Sequence, residues 1–136
     1  MNKEIKKLWV DALRGGEYKQ GKLRLCNLSQ DTYCCLGVLC DLAVKNGIIK
    51  PGIRTQDSSC GTVLQFGELL STETLPNEVM LWADLKRSNP LLSIPEDQAF
   101  HELKSEYNSL TYEITELNDD YEYDFNTFAD LIEAQL

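Results

Sequence analysis

This chain is short of the sequence features that usually mark a chemistry. It has one histidine, His101, so a general base or an imidazole metal ligand could come from one place only. No Walker-type loop and no G-x-G-x-x-G occurs, which removes the common phosphate-cradling sequences. There are five cysteines but no C-x-x-C pair, and structural zinc sites usually show close paired ligands. No uncharged apolar run approaches the ~20 residues that span a bilayer. The first seven residues also lack the apolar segment of a secretory signal. The expectation is a cytoplasmic protein with no membrane partner. Internal repeats, linkers and low-complexity stretches are missing too, so residues 1–136 read as a single domain, long enough for a real core.

Basic residues run out toward the C-terminus. Residues 96–136 carry twelve carboxylates and one lysine, a balance of −11, whereas residues 1–95 carry ten carboxylates and twelve Lys or Arg, a balance of +2. The net charge of −9 therefore belongs to the last 41 residues. Direct binding of nucleic acid is disfavoured, because phosphates need a basic surface. A basic partner, or imitation of nucleic acid, fits the charge better.

What the chain does have is a hub. Of the eleven residues Cys34 to Val44, only Asp41 is charged and the rest are apolar or small. A helix apolar on all sides belongs inside a core, so 36–45 is expected as a buried central helix that stops at Asn46-Gly47. Ile5, Leu8, Trp9, Ala12 and Leu13 predict an amphipathic helix over 3–14. A hairpin is expected over 17–34, with Leu23 to Cys26 and Thr32 to Cys34 as its arms. Ile48-Ile49 and Thr62 to Phe66 are strand candidates around a polar loop at 55–61. A short helix is expected over 76–85, ended by Asn89-Pro90. Phe100, Leu103, Tyr107, Leu110, Ile114 and Leu117 alternate steps of three and four, which predicts one long helix over 95–118. A last helix follows from Phe125 to about Glu133, capped by Asp124. The fold class is therefore α+β. A small, mostly antiparallel sheet packs on the buried central helix, with an N-terminal helix and acidic C-terminal helices around it. The chain is a monomer, or a homodimer through the long helix.

Three chemistries compete for the polar and thiol groups. Cys26, Cys34, Cys35, Cys40, Cys60 and His101 are the possible zinc ligands, but their spacing is wrong for a close pair, and no metal or other cofactor is expected. Cys34 or Cys35, at the start of the hub helix, could be a nucleophile served by His101, the alternative being inert packed thiols. A pocket for a small anion could form near the helix start from Tyr18, Gln20, Arg24, Asp41 and Arg54. In that pocket Asp41 would pair with Arg24 or Arg54, since a carboxylate on an apolar helix must reach water or a cation.

The run Trp9 to Arg14, then Gly16 to Gln20, then Tyr33-Cys34-Cys35-Leu36-Gly37-Val38-Leu39-Cys40-Asp41-Leu42-Ala43 resembles a group of small bacteriophage and prophage proteins. The likeness continues through Leu75 to Val79 with Trp82, and through Leu117-Asn118-Asp119 with Phe125 to Ile132. The chain departs from that pattern at Gly15-Gly16 and in extra sequence between Asn89-Pro90 and Leu117. The resemblance implies expression in an infected bacterial cell and carries over no catalytic residue. The functional expectation is a non-catalytic phage accessory protein that binds a host factor and counteracts antiviral defence. It would do so through the acidic surface or through a pocket for a small anionic signalling molecule. The alternatives are a cysteine-dependent enzyme and a zinc-binding structural module.

Overall fold

The computed structural model describes residues 1–94 and 111–136. Helix α1 (Lys3–Arg14) begins where Asn2 Oδ1 accepts from the amides of Glu4 and Ile5, at 3.0 and 3.1 Å. It buries Ile5, Trp9, Val10 and Leu13 along one face. Strands β1 (Cys26–Asn27) and β2 (Thr32–Tyr33) form a small hairpin and lead into helix α2 (Cys35–Lys45). Strands β3 (Ile53–Asp57) and β4 (Gly61–Gln65) form a second hairpin, and β1 joins β4 through Asn27 and Val63. The result is one antiparallel sheet in the order β2-β1-β4-β3. Helix α3 (Asn77–Trp82) follows. Strands β5 (Leu91–Ser93) and β6 (Thr111–Glu113) make a separate two-stranded sheet, and helices α4 (Ile114–Asp119) and α5 (Phe125–Gln135) close the chain. The architecture is α+β, as the sequence predicts.

α2 is the hub. Cys35, Leu36, Val38, Leu39, Cys40 and Ala43 are completely buried. Its N-terminal residue is Cys34, whose Sγ accepts from the Gly37 amide at 3.4 Å, a weak cap. Trp9 of α1 donates its indole N–H to the Cys35 carbonyl at 3.0 Å. Gly37 explains how closely the neighbouring chain approaches. A Cβ there would lie 1.7 Å from the Leu25 carbonyl oxygen, so only glycine lets the backbone before β1 pass over the helix. α1 packs chiefly on α5 and also on α2, while α4 and α3 cover further sides of the hub.

Several sequence expectations need correction. The arm at 23–26 is not a strand along its length, because Leu23 takes a left-handed backbone (φ 72) and pairing starts only at Cys26. Ile48-Ile49 is not a strand. β3 begins at Ile53 and runs into what was expected to be loop, leaving Ser58 to Cys60 as the turn. The short helix ends at Trp82, and Asp84 follows with positive φ (53). The predicted long helix is broken, because Thr111–Glu113 is a strand paired with β5, and α4 starts at Ile114. The steps of three and four misled because buried Tyr112 faces the core from a strand, between Leu110 and Ile114. Residues 95–110 of that expectation, and His101 with them, lie outside the described residues.

Candidate functional site

A cleft of about 340 Å³ opens where five segments meet at the N-terminal end of α2. Leu23 and Arg24 come from the chain before β1, and Cys34 from the cap of α2. Glu73, Thr74 and Asn89 come from the loops on either side of α3. Glu113 ends β6, and Thr115 and Asp119 belong to α4.

Arg24 is the centre of its charge. The Nε donates to Asp57 Oδ2 at 3.0 Å, Nη1 lies 3.2 Å from Glu73 Oε1, and Nη1 also donates to the Leu23 carbonyl at 2.8 Å. Asp57 is itself held by the amides of Ser59 and Cys60 at 2.8 and 3.0 Å. The Ser59 amide first, then Arg24, and then the Cys60 amide hold its carboxyl below the usual range. The guanidinium thus ties the β3–β4 turn to the cleft and has its charge matched on both sides. The ionisable lining is this one cation against three carboxylates, Glu73, Glu113 and Asp119. The lining is therefore negative. Arg87 approaches Glu113 at 3.4 Å but is exposed and screened.

Through Asp119 the cleft is tied to a buried network of neutral amides. Asn118 is buried to 1% exposure. Its Nδ2 donates to the Gly21 carbonyl and to Asp119 Oδ1, both at 2.9 Å. Its Oδ1 accepts from Gln20 Nε2 at 3.0 Å and from the Cys35 amide at 3.4 Å. Gln20 also donates to the Tyr123 carbonyl at 2.7 Å. Asp119 Oδ1 accepts from the Leu23 amide at 3.0 Å, which helps hold Leu23 in its left-handed conformation. Asn89 completes the wall by exchanging hydrogen bonds with the Thr115 side chain and amide.

The five residues expected to hold an anion do not converge. Only Arg24 lines the cleft. Gln20 is a clamp on Asn118, and Arg54 is exposed on β3. Asp41 does not pair with Arg24 or Arg54. Instead it accepts a short hydrogen bond from the Tyr18 hydroxyl and sits 3.2 Å from Lys45, one helical turn along. Lys45 donates to the same hydroxyl at 3.1 Å and lies over the Tyr18 ring, which meets Tyr33 edge-on. Burial first, and the bond to Asp41 second, raise the Tyr18 phenol above its ordinary value.

The thiols are packed rather than poised. Cys26, Cys34, Cys35 and Cys40 are buried. Burial pushes Cys34 up to about 12 and holds Cys35 and Cys40 well above the ordinary thiol range. A thiol that stays protonated is a poor nucleophile, and the end of α2 does not offset this. Cys60 is part-exposed in the β3–β4 turn. Among the described residues no three of His, Cys, Asp or Glu are grouped to hold a metal ion, and no helix is long and apolar enough to cross a membrane.

The groups that line the cleft without having been singled out are Glu73, Asn89, Glu113, Thr115 and Asp119. The signal for the last was present, since Leu117-Asn118-Asp119 is part of the phage-protein resemblance, although read alone it marks only a chain break.

Across its whole length, residues 1–136, the chain matches the family model Domain of unknown function (DUF8296), and it belongs to that family. No curated protein and no solved structure matches it.

Proposed function

We propose that this member of the family is a non-catalytic binding protein whose acidic cleft takes a basic segment of a host protein in an infected bacterial cell. The observation that carries the reading is the state of Arg24. Its charge is already matched by Asp57 and Glu73, so the cleft offers surplus carboxylate and no free cation. A small anion would meet repulsion there, whereas a lysine or arginine side chain would meet Glu113 and Asp119. The charge of the C-terminal part extends the surface, since Glu116 and Asp120 carry no ion pair among the described residues. Basic protein segments of this kind are what nucleic-acid-binding defence proteins present, and the phage-protein resemblance supplies that setting.

The test is calorimetric titration of the full chain with an arginine- and lysine-rich decapeptide and, separately, with a nucleoside monophosphate. The expected outcome is binding of the peptide only, with affinity falling steeply as salt is raised. The double variant Glu73→Gln, Glu113→Gln should weaken it about tenfold, equivalent to about 1.4 kcal/mol. Preferential binding of the nucleotide would return the small-anion pocket and remove this reading.

A further inference from the structure

A second concavity lies at the edge of the four-stranded sheet and shares no lining residue with the cleft. The strand order leaves β3 at that edge, and β4 is the one described segment whose backbone is hydrogen-bonded to the backbone of β3. An edge strand of this kind presents a row of unpaired amides and carbonyls. Beside Ile53, the first residue of β3, opens a cavity of about 380 Å³. Ile48, Ile49, Pro51 and Ile53 supply its apolar lining, and Glu68 and Glu78 supply its charge. Ile53 is 58% exposed and Ile48 38%, and Leu69 and Leu70, which follow Glu68 directly, are exposed as well.

Glu78 is the unusual member. Its Oε1 accepts from the Glu68 amide at 3.4 Å. Its Oε2 is closed off from water without a hydrogen-bond partner, the one such side-chain atom among the described residues. The chain makes room for it at Gly67 (φ 76), where a Cβ would lie 2.5 Å from Oε2. Leaving a carboxylate oxygen unmatched is costly, and a donor brought in by a partner removes that cost. Lys50 also lines the cavity, so the lining balance is two carboxylates against one ammonium.

We propose that β3 and this cavity form a docking site for an extended peptide segment of a protein partner. The segment adds to β3 as a further strand, its backbone matching the open edge. One apolar side chain enters the Ile48–Ile53 cavity. The next side chain on the same face, two residues along, is a lysine or arginine directed at Glu68 and Glu78. The edge supplies affinity, the cavity selects an apolar residue, and the carboxylates select a basic neighbour.

The experiment is a titration of the ¹⁵N-labelled full chain, followed by amide shifts, with a six-residue peptide in which valine and lysine stand two residues apart, separated by threonine, so that both lie on one face. Three controls accompany it: the same peptide N-methylated at alternate residues, a valine–glutamate counterpart, and butylamine. The valine–lysine peptide should shift the amides of residues 53–57 and of Glu78. Shifts confined to Thr115 and Asp119 would report the acidic cleft alone and would overturn this proposal without touching the other. N-methylation, Glu78→Gln and the surface variant Ile53→Asp should each weaken the β3 response at least tenfold. Ile53 is exposed, so its variant remains informative if Glu78→Gln fails to fold. Equal binding of the N-methylated peptide overturns strand addition, and equal binding of the valine–glutamate peptide overturns the role of the carboxylates. Butylamine shifting Glu78 while residues 53–57 stay unmoved by any peptide assigns the cavity to a small amine and overturns the peptide.

Discussion

At its first turn, α2 is held by Asn118, whose buried amide serves Gln20, Gly21, Cys35 and Asp119 at once. Nearly two turns further on, it is held by Tyr18 and Lys45 around Asp41. Both grips use side chains from the loop after α1, two residues apart, yet they differ in chemistry. The first is largely made of neutral amides and sealed from water. The second is charged, with the Asp41 side chain 22% exposed and Lys45 57%. A neutral amide can be buried with every hydrogen bond made and hold a fixed geometry. A charge near the surface shares its partner with solvent and contributes less. The sealed grip therefore sets the fold of the cleft, and the open grip only trims it.

The strongest way to break this contrast is Gly37→Ala. Its Cβ would lie 1.7 Å from the Leu25 carbonyl oxygen, which is backbone and cannot swing aside. The expected loss is about 3 kcal/mol or more, read as a collapse of the denaturation midpoint. An alanine tolerated here would show that α2 and the strand before it are not locked together.

Next is Asn118→Leu. It keeps the volume roughly but leaves the Gly21 carbonyl and the Cys35 amide without that partner in a dry site, and Gln20 with the Tyr123 carbonyl alone. A loss of about 3 kcal/mol is expected, with proteolysis near Gly21 as a second readout. Gln20→Ala should cost less, because it leaves the Asn118 bonds to Gly21 and Cys35 intact.

The dry side also has a pH signature. In the unfolded chain the thiols ionise near ~8.5. In the folded chain burial holds Cys34 near about 12 and Cys35 and Cys40 well above the ordinary range. Above about pH 8.5 the folded state then binds more protons than the unfolded one, so stability is full below that point and falls as pH rises toward 12. Each thiol contributes up to about 1.4 kcal/mol per pH unit to the decline. Cys40→Ala should make the fall between pH 9 and 10 shallower by about that amount, measured by chemical denaturation at each pH.

How much of this was legible follows the same division. The hub could be read because ten apolar or small residues out of eleven leave a helix nowhere to go but inside. α1 could be read from its apolar face, and α5 from its cap, Asp124, and its apolar face. β5 and β6 could not, since three-residue strands are too short to show alternation, and the two partners stand far apart in the chain. Asn118 looked like a breaker because a buried asparagine is known only by the partners that tertiary structure brings. The partner of Asp41, by contrast, was within reach of the sequence. Lys45 stands four residues on, the spacing at which opposite charges meet on a helix. Looking for a distant arginine on account of the apolar surroundings overlooked the local pair.

The smallest effect sharpens the comparison most. Tyr18→Phe keeps the ring against Tyr33 and removes one hydroxyl, leaving Asp41 with Lys45 still 3.2 Å away. Because Asp41 keeps a cation and access to water, no buried group is stranded. Both hydrogen bonds of the hydroxyl are lost, to Asp41 and from Lys45, but the two charged partners keep each other and water. The loss should therefore be about 1 kcal/mol, and it should be insensitive to salt, since the deleted group is neutral. Asp41→Asn in the Tyr18→Phe background then removes the remaining ion pair, and its cost should shrink as salt is added. If Tyr18→Phe alone cost as much as Asn118→Leu, the two grips would be equivalent. The division between a sealed amide frame and a trimming surface charge would then be wrong.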